Sequence, residues 1–146
     1  MPGPADGVYY IRNVATQTAV TADTSSPNPK LVGSQLRWDR LKAQKFAVKT
    51  IDKDIYIITH VETGRVVDLF NSEAKNLTPI ITFPLHWGKN QKWEFASTGS
   101  ANTYSIKSVS SGGYLDLTGS NPADGTAIIN YQGTGNNNQK WEFQAV

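Results

Sequence analysis

Gln139-Lys140-Trp141-Glu142-Phe143, close to the C-terminus, decides the fold, because the same five letters occur earlier as Gln91-Lys92-Trp93-Glu94-Phe95. A weaker third copy is Gln44-Lys45-Phe46-Ala47-Val48, and the steps between copies are 47 and 48 residues. One motif at a constant spacing marks an internal repeat, in which each unit buries its apolar face against its neighbours. Tyr9, Tyr56 and Tyr104 keep the same period, and each opens a short alternating run. Thr21, Asp68 and Asp116 each stand 23 residues before the Gln of their own copy. The 146 residues therefore read as one domain, 1–146, built from three units at about 6–50, 51–98 and 99–146.

Apolar residues alternate over four to six positions, the period of a half-buried strand. Breakers such as Thr63-Gly64, Ser111-Gly112-Gly113 and Gly133-Thr134-Gly135-Asn136 separate these runs. No stretch carries a sustained helical stripe. Each unit predicts four short strands: 8–14, 18–22, 30–36 and 44–49 in the first; 55–61, 65–70, 79–83 and 91–96 in the second; 103–109, 113–118, 127–131 and 139–145 in the third. Twelve strands repeated three-fold suggest a closed barrel capped by hairpins, since closure removes exposed edges. The motif residues Gln44, Phe46, Gln91, Trp93, Gln139 and Trp141 are then structural. Their aromatic rings fill the centre from each unit's last strand, and their amides satisfy buried backbone.

The chain has no cysteine, so disulfides, a thiol nucleophile and a thiolate metal site are excluded. No His pair has metal-ligand spacing, no glycine-rich loop cradles phosphate, and no cofactor is implied. The net charge is only +2, with acidic residues among the basic ones, so nucleic acid is not an expected partner. No apolar run approaches membrane length, so membrane insertion is not expected. The start, Met1-Pro2-Gly3-Pro4-Ala5-Asp6-Gly7, has neither the basic region nor the apolar segment of a signal peptide, which points to the cytoplasm.

Three tandem copies of Gln-x-Trp over nearly the whole chain resemble the R-type, ricin B-like lectins, and the cysteine-free, leaderless form looks most like those of fungi. The resemblance implies an all-β, β-trefoil fold of twelve short strands in three pseudo-three-fold repeats. In the galactose-binding repeats of that family an Asp ends the second strand, an apolar pair and an aromatic follow, and an Asn precedes the Gln. The second repeat matches with Asp68, Ile81, Phe83 and Asn90, and His86 falls where the family often has His. The third matches with Asp116, Ile129, Tyr131 and Asn138, with Thr134 in the His position. The chemistry agrees: Asp and Asn supply the acceptors and donors that sugar hydroxyls need, and an aromatic ring takes the C–H face of a galactose-type pyranose. The first repeat departs, with Thr21 for Asp, Leu36 in the aromatic position and Ala43 for Asn, and is expected to be inactive.

The resemblance implies a non-enzymatic agglutinin or defence lectin. Its partners would be glycans, glycoproteins and glycolipids with terminal galactose or N-acetylgalactosamine, and it leaves room for a homodimer. Two other readings compete. Asp52, Asp54 and Glu62 could be imagined as a glycosidase pair, but nothing in the sequence fixes their separation. A β-trefoil protease inhibitor would act through an exposed loop, for which 25–30, Ser25-Ser26-Pro27-Asn28-Pro29-Lys30, is the candidate.

Overall fold

The computed structural model describes residues 3–23 and 25–146. Of the N-terminal stretch read for a signal peptide, Met1 and Pro2 lie outside the described residues. The chain is all-β, with twelve strands: β1 Gly7–Asn13, β2 Ala19–Ala22, β3 Leu31–Ser34, β4 Phe46–Asp52, β5 Ile55–His60, β6 Val66–Leu69, β7 Thr78–Phe83, β8 Trp93–Ser97, β9 Thr103–Ser108, β10 Tyr114–Leu117, β11 Thr126–Tyr131 and β12 Trp141–Ala145. Alternation explains the strands: in β8, Trp93 and Phe95 are buried while Glu94 and Ala96 face water.

Six strands close a ring. β1 pairs with β12 and β4, β4 with β5, β5 with β8, β8 with β9, and β9 with β12, so this barrel has no free edge. The other six form the hairpins β2–β3, β6–β7 and β10–β11. These also touch one another: β11 pairs with both β3 and β7, and Lys30 bridges to Ile81. The result is the β-trefoil, a barrel with a triangular cap of hairpins.

The motif aromatics hold barrel and cap together. Trp93 and Trp141 are fully buried, and their indole N–H groups donate to Val67 O at 3.0 Å and Leu115 O at 3.1 Å. Each bond ties a barrel strand to the cap strand of its own repeat and satisfies the one polar atom of a large core side chain. Phe46 fills the same place in the first repeat without a donor. A second aromatic cluster is built from the repeated Tyr and Phe positions. Phe143 packs on Tyr9, Phe95 and Tyr104 at ring distances of 5.4, 5.4 and 5.7 Å.

One detail differs from the sequence reading. The motif Gln residues do not lie in the last strands. They end short 3-10 segments, Trp38–Gln44, Lys89–Gln91 and Asn137–Gln139, and the strands begin two residues later. Gln91 N donates to Gly88 O and Gln139 N to Asn136 O, so the backbone turns there and frees the side chain to point inward. His60 ends β5 and is buried. Its Nδ1 lies 3.0 Å from Thr63 Oγ1, while Nε2 has no hydrogen-bond partner among the described residues.

Trp93→Ala is expected to cost roughly 3–5 kcal/mol of folding stability. Trp93→Phe should cost much less, because Phe46 already occupies that place in the first repeat; urea midpoints give both values. Burial pushes the His60 pKa below its ordinary 6.5, against a weaker opposing effect from the Ala43 carbonyl. A lowered folded pKa means that the unfolded chain binds the proton more readily. The stability due to neutral His60 is thus complete above about pH 6.5 and is lost as the pH falls toward the lower folded value. In His60→Asn, which copies Asn13 at the matching place, a pH series of urea melts should lose that slope.

Candidate functional site

In the β6–β7 hairpin Asp68 pairs with Ile81 and Val66 with Phe83. The Asp68 carboxylate is only 3% exposed, so it depends on hydrogen bonds. Oδ1 accepts from Asn90 Nδ2 at 3.1 Å, and Oδ2 accepts from Gln91 Nε2 at 2.8 Å. The second N–H of Asn90 goes to Leu69 O at 3.1 Å, and that of Gln91 to Pro84 O at 3.0 Å. Gln91 Oε1 accepts from His86 N at 2.9 Å. Every side-chain amide proton is committed, so Asn90 Oδ1 and the remaining carboxylate lone pairs are left to accept from a ligand.

His86 completes one wall. Its Nδ1 accepts from Gly88 N at 3.1 Å, so Nε2 carries the proton in the neutral ring. That Nε2 lies 3.8 Å from Asp68 Oδ2. Phe83 packs edge-on against the His86 ring at 6.1 Å, yet remains 37% exposed, which leaves ring surface for stacking. With Phe70, Asn71, Ser72 and Ile81 these residues line a cavity of about 430 Å³. The structure therefore brings together all five residues expected for the second repeat: Asp68, Ile81, Phe83, His86 and Asn90.

The third repeat copies the frame. Asp116 Oδ1 accepts from Asn138 Nδ2 at 3.1 Å and Oδ2 from Gln139 Nε2 at 2.8 Å. Asn138 also donates to Leu117 O at 3.1 Å, and Gln139 to Gln132 O at 2.8 Å. Asp116 pairs with Ile129 and Tyr114 with Tyr131 across β10–β11. Thr134 takes the role of His86: its N–H bonds Gln139 Oε1, and its hydroxyl accepts from Asn136 N. Burial raises both carboxyl pKa values above the ordinary 3.8, outweighing the hydrogen bonds from Gln91 and Asn90 on Asp68 and from Gln139 and Asn138 on Asp116.

The first repeat keeps the Gln and loses the rest. Gln44 Nε2 donates to Thr21 Oγ1 at 3.0 Å and to Gln35 O at 2.9 Å. Thr21 pairs with Val32 and Ala19 with Ser34, so the place of Phe83 and Tyr131 belongs to Ser34, not Leu36. The spacing of 23 residues conceals two compensating changes. Along the ladders Thr21 and its partner Val32 are two residues closer in sequence than Asp68 and Ile81 or Asp116 and Ile129, and the segment from β3 to Gln44 is two residues longer, taken up by the 3-10 stretch Trp38–Gln44. With no carboxylate, no ring and no Asn, this repeat lacks the frame.

The sequence did not point to Phe70, nor to Gly88. Phe70 sits two residues after Asp68 and lines the cavity. A Cβ on Gly88 would lie 2.5 Å from His86 Cε1 and 2.6 Å from Asn90 Oδ1, so only glycine lets both side chains take their places.

A family model described as "Ricin-type beta-trefoil lectin domain-like" matches residues 3–83 and 89–146. The chain belongs to that family. No curated protein sequence matches this trefoil significantly. Among solved structures it is similar to ThreeFoil, a designed three-fold symmetric protein, at 20% identity and TM-score 0.89, covering 97% of this chain and 100% of that one. It is similar to the Polyporus squamosus lectin bound to the epitope Neu5Aca2-6Galb1-4GlcNAc, at 27% identity and TM-score 0.82, covering 97% of this chain and 50% of that one. It is also similar to the Macrolepiota procera ricin B-like lectin in complex with lactose, at 15% identity and TM-score 0.83, covering 100% of both chains.

In this ricin-type trefoil, carbon-detected NMR titration should place both Asp68 and Asp116 above 3.8. A folded value above the unfolded one means that each carboxyl favours the folded state most below about pH 3.8, a contribution lost as the pH rises through the folded value. Asn90→Ala removes a bond to the charged form, so the Asp68 midpoint should rise further while Asp116 stays unchanged.

Proposed function

We propose that the protein is a lectin for terminal galactose or N-acetylgalactosamine, with binding sites in the second and third repeats and none in the first. One observation carries the reading: a buried carboxylate held by the Asn and Gln beside it, on a hairpin that also carries a partly exposed aromatic, occurs twice with the same hydrogen bonds and strand register. The carboxylate and the Asn carbonyl accept from ring hydroxyls, and Phe83 or Tyr131 takes the apolar face of the pyranose. Asp68, Ile81, Phe83, His86 and Asn90 form one site; Asp116, Ile129, Tyr131 and Asn138 form the other. The names of the Polyporus and Macrolepiota lectins, whose ligands contain galactose, support this sugar class and a fungal source.

A shallow site with one such set binds weakly, of order 1 mM to 10 μM, or about −4 to −7 kcal/mol. Two sites per chain compensate on a surface that displays many sugars, where linked binding raises avidity by about 10²–10⁴. Such a protein agglutinates cells or coats densely glycosylated surfaces, which fits a defence lectin kept in the cytoplasm and met by whatever feeds on the producer.

The rival readings lose support. Glu62 lies at the far end of β5 from Asp52 and Asp54, about 20 Å away at about 3.3 Å per residue. Glycosidase carboxyls stand only about 5–9.5 Å apart. The 25–30 loop is docked against the second repeat: Pro29 is buried, and its carbonyl accepts from Thr82 N. Lys30 bridges to Ile81, and Asn28 accepts from Arg65. A loop tied down at three consecutive residues is poorly placed to enter a protease cleft.

The first repeat also shows how to remove a site cleanly. Asp68→Ala would leave the buried amides of Asn90 and Gln91 short of acceptors, whereas threonine keeps one for the Gln, as Thr21 does for Gln44. Titration calorimetry with methyl β-galactoside should give two sites for the native chain, one each for Asp68→Thr and Asp116→Thr, and none for a folded double variant. Full stoichiometry in the double variant would defeat the assignment.

A further inference from the structure

Outside the shared Asp–Asn–Gln frame the two sites differ. Phe70 stands where the third repeat has Thr118, His86 where it has Thr134, and Trp87 where it has Gly135. The last pair is informative. Trp87 has φ +65° and Gly135 has φ +75°, so both repeats hold the left-handed backbone at this position. Glycine adopts it freely and a bulky residue does not. Trp87 is also 58% exposed, so burial returns little for the strain. It stands between His86, which lines the cavity, and Gly88, whose N–H fixes the His86 ring, with Leu85 also exposed nearby in sequence. The cavity wall already includes Phe70 and Phe83. Trp87 thus adjoins in sequence His86, a lining residue of the cavity, and lies in the stretch 84–88 between the two matched segments of the family model.

We propose that Trp87 forms an outer subsite of the second repeat, which takes the second ring of a glycan whose terminal galactose-type ring sits against Asp68. This rests on the galactoside reading above and deepens it. A sugar chain leaving a shallow pocket must continue over the rim, and a pyranose offers an indole a C–H face to stack on. The second repeat then selects disaccharides and longer glycans, while the third, with Gly135 and Thr134 at its rim, reads the terminal ring alone. The two sites of one chain thus have different ligand preferences.

The test uses methyl β-galactoside as the one-ring probe and lactose as the two-ring probe. In Asp116→Thr, where the second repeat alone binds, lactose should bind about three- to tenfold more tightly than methyl β-galactoside. In Asp68→Thr the two probes should agree within about twofold. Adding Trp87→Gly to Asp116→Thr should bring the ratio to about one with the methyl β-galactoside affinity unchanged. Its melting temperature should hold or rise, since Gly135 fills the matching position. Lactose should also shift the emission of the exposed indole, a shift absent after Trp87→Gly. A lactose preference that survives Trp87→Gly, or is equal in both repeats, overturns the subsite alone. Failure of both single-site variants to bind methyl β-galactoside overturns the galactoside reading, and the subsite with it.

Discussion

The buried amide of the motif glutamine is the interaction on which the rest depends. Gln44, Gln91 and Gln139 are all buried, and in each the Nε2 group reaches from the turn before a barrel strand to the second strand of its repeat and to the chain leaving the third. Three segments distant in sequence are thus held by one planar group with fixed donor directions. In a low-dielectric interior such an amide is costly unless fully satisfied, so it specifies a single arrangement of the hairpin on the barrel. In two repeats one of its partners is the carboxylate that forms the floor of the site. The group that locks the cap therefore also orients the carboxylate of the candidate site, and the fold and that site share one hydrogen bond.

This sharing explains why the first repeat can lose its site and keep its place in the fold. Gln44 needs only an acceptor, and the Thr21 hydroxyl supplies one without a buried charge to solvate. Once the carboxylate is gone, nothing holds an Asn beside the Gln, and Ala43 costs nothing there. The neighbouring aromatic is free to become Ser34, packed under a shorter hairpin. Because a designed protein of exact three-fold symmetry has the same architecture, these departures are not a demand of the fold.

Much of this was legible in the sequence, for a physical reason. A three-fold architecture repeats its buried contacts, so the spacing of Gln-x-Trp, of the Tyr positions and of Asp68 and Asp116 carries the barrel and both frames. What the spacing hides is anything that cancels. The two residues moved across β3 in the first repeat leave the separation of Thr21 and Gln44 unchanged, so the spacing alone assigns Leu36 to the position that Ser34 holds. Backbone conformation is hidden as well. That Trp87 occupies a left-handed turn is plain only beside Gly135, and the Gln residues sit in 3-10 turns because their own N–H groups bond back three residues, a choice that no hydropathy pattern records. The burial of His60 goes with its ring packing on Phe46 of the first repeat, 5.1 Å away, where the other two repeats carry tryptophan.

The cap also fixes how the two frames stand to each other. β11 pairs directly with β7 through Ile129–Pro79 and Asn130–Thr78, so the strands that carry Ile81 and Ile129 belong to one hydrogen-bonded unit. Asn130 further donates to Ala74 O and Lys75 O, which ties the third repeat to the loop of the second. The sites cannot swing independently as they would on a flexible linker. A rigid pair gains avidity only from targets whose spacing and direction match its own, and gains nothing when geometry forbids joint engagement. If both frames bind as proposed, sites related by about a third of a turn around the barrel axis diverge, so one compact branched glycan would not fill both, whereas separate glycans on facing or crowded surfaces would. On the two-site galactoside reading proposed above, the same rigidity that keeps each buried carboxylate paired would steer the protein away from single soluble oligosaccharides and toward dense or apposed glycan surfaces.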